Sequence, residues 1–172
     1  MANVQDGDVT EIKLGICKVS YNGVDLGYTK GGCTLRIIPN QYEVTVDEYG
    51  SIPLKEYDMG YAVEVDVSLA QHSFDQIDAA VPVLINADSG GSEKRTYGDT
   101  VGSEIVGKEL ILDPVYSTAG YKVTIYKAVP VANFEVNYAV DAEKIVGITF
   151  KGTLDDTRDA GDQLFSIEDP AS

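Results

Sequence analysis

The chain has 172 residues, 44% of them apolar, with 28 acidic against 13 basic side chains and a formal charge of −15. That size and apolar content suit one globular domain with its own core and argue against a disordered chain. The charge argues against direct affinity for nucleic acid or an anionic membrane surface, since both need clustered Lys and Arg.

The opening residues, MANVQDGDVTEIKLGIC, hold no basic start followed by an apolar core. No signal peptide is expected, and no apolar run approaches the ~20 residues of a membrane span. Synthesis in cytoplasm is expected. Asp6, Gly7 and Asp8 carry only the first fragment of a calcium loop. Cys17 and Cys33 lie in apolar strand-like runs and read as buried thiols, with no secretory context for a disulfide. With a single histidine, His72, they do not suffice for a structural zinc site.

The stretch YNGVDLGYTKGG, residues 21–32, sets Gly23, Gly27, Gly31 and Gly32 around Lys30. A phosphate-binding loop needs glycines that open a helix and a lysine followed by Ser or Thr. Here Lys30 is followed by two glycines and then by CTLRII, which reads as strand. The glycines therefore read as turn residues, supplying positive φ where strands reverse. Asn22-Gly23 reads as a two-residue hairpin loop between KVSY and VDLGYT.

Alternation then dominates. QYEVTVD places Tyr42, Val44 and Val46 on one face. In YAVEVDVSLA, Val63, Val65, Val67 and Leu69 point one way, while Glu64, Asp66 and Ser68 point the other. Between these strands, DEYGSIPLKEYDMG (47–60) reads as a long loop. One short helix is predicted over residues 73–81, with Ser73 as cap and Gln76 completing a capping box. Phe74, Ile77 and Val81 form its apolar face, and Pro82 ends it. His72 stands just before the cap and reads as a boundary residue rather than a base. A second long loop, NADSGGSEKRTYGDTVGSE, covers 86–104.

Three further strands follow. YKVTIYKAV carries Tyr121, Val123 and Ile125. NFEVNYAVD carries Phe134, Val136, Tyr138 and Val140. KIVGITFKG carries Ile148 and Phe150. The acidic TLDDTRDAGDQ reads as solvated surface before a last strand-like piece, LFSI. The fold class is mainly β: a single antiparallel sandwich or barrel over 1–172, with one short helix and long loops.

No catalytic or metal-binding set assembles in the sequence. Carboxylates are plentiful, but none is marked by an aromatic cleft, and Trp is absent. Tyrosine is the unusual aromatic, 11 against 4 Phe. Tyr42, Tyr49, Tyr57, Tyr61, Tyr97, Tyr116 and Tyr121 stand beside loops. They suit either sheet edges and corners or a protein–protein contact.

The order of elements resembles that of the tail tube (major tail) proteins of long, non-contractile-tailed bacteriophages. GVDLGYTKGGCTLRI is similar to the early hairpin of that family. VTVDEYGSIPLKEYDMGYAVEVDVSLAQHSFDQI resembles its strand, long loop, strand and single helix. YKVTIYKAVPVANFEVNYAVDAEKIVGITFKGTLDD resembles its late strands, and LFSIED its terminal strand. The likeness runs over about residues 10–168 and rests on order and spacing.

The resemblance implies a subunit that forms hexameric rings, stacked into a hollow tube through which phage DNA passes without specific binding. It implies no enzymatic activity and no cofactor. Its partners would be further copies of itself and other tail proteins: tail tip, tape measure and terminator. Its place would be the virion tail, and the fold would be similar to that of type VI secretion tubes. Residues 47–60 and 86–104 would then order on assembly, with Tyr49, Ile52, Pro53, Leu54 and Tyr57 as subunit-interface anchors in the first of them. The competing readings are a type VI-like tube, a tail terminator, a glycan- or receptor-binding virion module and, last, a carboxylate hydrolase.

Overall fold

A computed structural model of the chain describes residues 15–70, 73–98, 101–115, 120–131 and 145–169. The strand expected around Phe134, Val136, Tyr138 and Val140 lies outside these residues, as do Asp6, Asp8, His72 and Tyr116.

The described chain is an antiparallel, sandwich-like β fold with one short helix and no closed barrel. In chain order its elements are β1 (Cys17–Tyr21), β2 (Val24–Asp25), β3 (Thr29–Val44), β4 (Lys55–Leu69), α1 (Phe74–Ala80), β5 (Ile85–Asn86), β6 (Arg95–Thr96), β7 (Lys108–Pro114), β8 (Lys122–Pro130), β9 (Val146–Thr153) and β10 (Phe165–Glu168). The main sheet runs β2-β1-β7-β8-β9-β4-β3, and β10 also pairs with β8. The first half of β8 pairs with β10 and its second half with β9, so the sheet changes partner along one strand.

Period-two patterning builds the core. Val63, Val65, Val67 and Leu69 of β4 are at most 1% exposed. They pack with Val146, Ile148 and Phe150 of β9, Leu110 and Leu112 of β7, and Val123 and Ile125 of β8. β1 adds Val19 and Tyr21. Burying each such side chain contributes roughly 1.5–3 kcal/mol. The opposite face of β4 is cross-linked by charge. Thr149 Oγ1 donates to Asp66 at 2.7 Å, the Arg36 guanidinium also bonds Asp66, and Lys151 reaches Glu64 at 3.3 Å.

Several expectations need correction. Asn22 and Gly23 do make the two-residue turn between β1 and β2, with φ of 53° and 78°. Gly31 and Gly32, however, lie inside β3, with φ of 88° and 83°, where the β3–β4 register shifts between Thr29 and Cys33. They make a bulge rather than a chain reversal. The strand read from VDLGYT shrinks to Val24–Asp25. Tyr42 is exposed rather than core-facing, and so is Tyr121.

The loop expected over 47–60 ends early. A 3-10 turn covers Asp47–Tyr49, and β4 already begins at Lys55, paired with Val44. β3 and β4 thus form one long hairpin. Within 86–104, β5 and β6 form a small second sheet. Arg95 ties it to α1: its Nε lies 2.8 Å from Asp78, its Nη1 lies 3.2 Å from Asp88, and its guanidinium stacks 4.7 Å from the Phe74 ring centroid.

The helix starts where the capping box predicts, with Ser73 and Gln76 in reciprocal contact. Val81 packs against the core as expected, but the rest of the inward face differs. Gln76 and Ala79 are buried, while Phe74 and Ile77 are only half-buried. Gln76 has a second task that turns it inward: its Nε2 donates to the Leu26 carbonyl at 3.0 Å, fastening α1 over the β1–β2 end of the sheet.

Candidate interaction surface

The outer half of the β3–β4 hairpin leaves the body as a two-stranded arm. Inside the body, Val63 to Leu69 alternate buried and half-buried. From Lys55 to Tyr61, every residue of β4 is exposed, and from Arg36 to Glu43 every residue of β3 is too. The ladder nevertheless continues. Tyr42 stands opposite Tyr57, Glu43 opposite Glu56 and Val44 opposite Lys55, and Leu54 N–H donates to the Val44 carbonyl at 2.8 Å.

The composition of the arm is unusual for an exposed hairpin. Tyr49, Ile52, Leu54 and Tyr57 are 49–65% exposed, and Pro53 is exposed between them. All five residues expected as interface anchors therefore share one arm and its tip. Ile37, Ile38, Tyr42, Met59 and Tyr61 extend the apolar surface toward the body. At the base it runs into an open groove lined by Met59, Tyr61, Leu154, Leu164 and Phe165. Four of the seven loop-side tyrosines (Tyr42, Tyr49, Tyr57 and Tyr61) lie on this arm, while Tyr97 and Tyr121 are exposed elsewhere. Tyr21 is one of the tyrosines that sequence reasoning passed over. It is buried, with its hydroxyl donating to the Ala128 carbonyl at 3.1 Å and its ring 5.0 Å from that of Phe150.

The acidic segment 155–162 lies mostly at the solvated surface, as expected, but it is also tied down by ion pairs and hydrogen bonds. Lys127 Nζ lies 2.9 Å from Asp155 and 3.3 Å from Asp156. Thr157 Oγ1 donates to Asp155 at 2.7 Å. The Lys127 ammonium and the Thr157 donors hold the Asp155 carboxyl down to about 2. Arg158 stacks 3.6 Å from the Tyr126 ring centroid and pairs with Asp162 at 2.6 Å, and the Tyr126 hydroxyl also donates to Asp162. These carboxylates are occupied in folding the segment onto β8. A shallow depression over Tyr21 and Ala79 is flanked by Asp75 and Asp78, but Asp78 is engaged by Arg95. Among the described residues, no group of three or more His, Cys, Asp or Glu could hold a metal ion.

Cys17 and Cys33 are both free and half-buried, and each packs against the core.

No protein-family model matches the chain, and no curated protein sequence matches it.

Proposed function

We propose that the chain is a structural subunit of a bacteriophage tail tube, forming rings that stack into a conduit for DNA. The observation that carries this reading is the β3–β4 arm. It is a ladder-paired hairpin that exposes many apolar side chains on a chain of net charge −15. A monomer with a task confined to its body has no use for such an arm. An assembling subunit needs an element that reaches a neighbour and becomes covered there. The acidic balance supports the conduit, because like charge lets DNA slide rather than adhere. In this reading the partners are other copies of the chain and the tail proteins at either end of the tube, and its place is the virion tail. It acts without catalysis or cofactor.

The test is electron microscopy of the purified chain beside the double variant Ile52→Asp, Leu54→Asp. The expected result is six-fold rings or hollow tubes from the parent. The variant should keep the parent's circular dichroism and thermal transition but form no polymer. Normal tubes from the variant would remove the arm from the assembly. A parent chain that stays monomeric at every concentration and salt, and does not add to isolated tail tips, would overturn the tube reading.

A further inference from the structure

The groove at the base of the arm holds about 560 Å³, a size that takes a small molecule or a few side chains. Met59 and Tyr61 reach it from the arm, and Leu154, Leu164 and Phe165 from the chain between β9 and β10. The second group is held in place by the body. Asp155 N–H donates to the Gln163 carbonyl at 2.8 Å, Tyr126 N–H donates to the Leu164 carbonyl at 3.3 Å, and Leu164 and Phe165 pack against the core. Met59, Tyr61 and Leu154 are nevertheless 50–65% exposed.

Charge selects the occupant. The chain is 24% charged, with a net −15, yet among the described residues none that lines the groove is charged. Asn40 and Gln163 add neutral amides that can meet the backbone of an incoming segment. A charged segment would be desolvated there without a partner. The arm tip has the matching composition. Tyr49, Gly50, Ser51, Ile52, Pro53 and Leu54 are consecutive, uncharged and exposed, between Glu48 and Lys55. The tip does not reach the groove of its own chain. From Leu54 to Met59 the paired ribbon advances about 3.3 Å per residue, which carries the tip about 15 Å away from the groove. The occupant that fits therefore comes from another copy.

We propose that this groove receives the arm tip of a second copy of the chain, with Ile52 and Leu54 covering Met59, Tyr61 and Leu154. The proposal rests on the tube reading and names the surface on which the arm lands. Tip and groove lie at different places on one chain, so the contact is heterologous. Each copy gives its tip to one neighbour and takes the tip of another, and the contact repeats until a ring closes or a filament grows.

Leu154 is exposed and lies outside the arm, so it can be changed without touching the tip. Leu154→Asp should keep the parent's circular dichroism and thermal transition, yet need about tenfold or more protein to polymerise. Leu154→Met should polymerise like the parent. A second measurement reads the contact itself. Chains carrying Leu54→Cys are mixed with chains carrying Leu154→Cys under polymerising conditions and treated with a short bismaleimide. Peptide mapping should join position 54 of one chain to position 154 of another, and the parent run alongside identifies products of the native thiols. Parent-like yield from Leu154→Asp, or tubes without the 54–154 cross-link, would each overturn the groove and leave the tube reading standing. Position 154 linked instead to Cys17 or Cys33 of the neighbour would give the groove a different occupant and rule out the tip. A 54–154 cross-link in small oligomers, with no ring or tube from the parent, would keep the groove and overturn the tube reading. Neither polymer nor cross-link, at any concentration or salt or on tail tips, would sink both.

Discussion

β4 lives in two environments, and the contrast between them is the main lesson of this molecule. From Val63 to Leu69 it is a body strand: apolar side chains enter the core, and Asp66 and Glu64 meet Arg36, Thr149 and Lys151 on the outer face. From Lys55 to Tyr61 it is an arm strand, exposed throughout and paired, among the described residues, with β3 alone. The body stabilises itself through burial. The arm has only its ladder and pairs such as Tyr42 with Tyr57, and it sets Glu43 opposite Glu56, which repel. A two-stranded ribbon with no third layer is marginal in water by itself. The chain thus carries a self-sufficient half and a half whose apolar surface has no cover among the described residues.

Core truncation should sharpen the contrast most. Phe150 is fully buried and packs against Tyr21. Phe150→Ala should cost about 3–5 kcal/mol in urea unfolding, through lost burial and the cavity left behind. Ile52→Ala, on the arm, should stay within about 0.5 kcal/mol of the parent. If the two substitutions cost the same, the arm is part of the core and the division fails. Next in size is Gln76→Ala. It removes the capping partner of Ser73 and leaves the Leu26 carbonyl without its donor. A loss of about 1–3 kcal/mol is expected. The arm-tip variant Tyr49→Ala should again be silent in the same assay.

The body was far more legible in the sequence than the arm. Strict alternation over Val63 to Leu69 and over Ile148 to Phe150 reports burial directly, because one face of a body strand sees only core. The capping box was legible because it is local. QYEV alternates as well, yet its Tyr42 is exposed, because period two states only that a strand forms and not which layer covers it. Lys55 to Gly60 read as loop because its charges, Met59 and Gly60 break the pattern, while pairing with β3 makes it strand. The five residues expected as interface anchors were legible as an apolar cluster in a polar surrounding, but their shared position on a projecting hairpin was not. Gln76's bond to Leu26 was out of reach, because it joins residues whose proximity follows from topology and from no local pattern.

Salt should separate the two halves in another way. The chain's charge of −15 opposes the approach of further copies, whereas an apolar arm favours it. Raising ionic strength from about 0.1 M to 1 M shortens the screening length from about 10 Å to about 3 Å. Polymer yield by light scattering should therefore rise with salt, while the urea midpoint of the monomer moves little. A yield that falls with salt would show that charge pairs, rather than the apolar arm, hold the assembly.

The smallest expected effect lies at the edge of the body, and it tests whether an acidic segment can be structural. Asp155 is held by Lys127 and Thr157, and its carboxyl is lowered from 3.8 to about 2. A carboxylate with a depressed folded pKa adds stability that is fully present above its unfolded value. For Asp155 that contribution should persist down to pH 3.8 and fade as pH drops toward about 2. Asp66 and Asp162 are lowered too, so the parent's acid profile alone does not isolate Asp155. The difference between the parent and Asp155→Asn does. The variant should be slightly less stable at neutral pH, and the gap should close between pH 4 and about 2, since the protonated parent has lost the same interaction. A gap that stays constant across that range would mean that Asp155 acts by shape and hydrogen bonding alone. Glu43→Gln or Glu56→Gln on the arm should show the opposite sign near neutral pH: each removes one of two like charges facing across the ladder and should stabilise the arm slightly. Opposite signs from acidic residues of the same chain would place the boundary between body and arm by charge, as burial already places it.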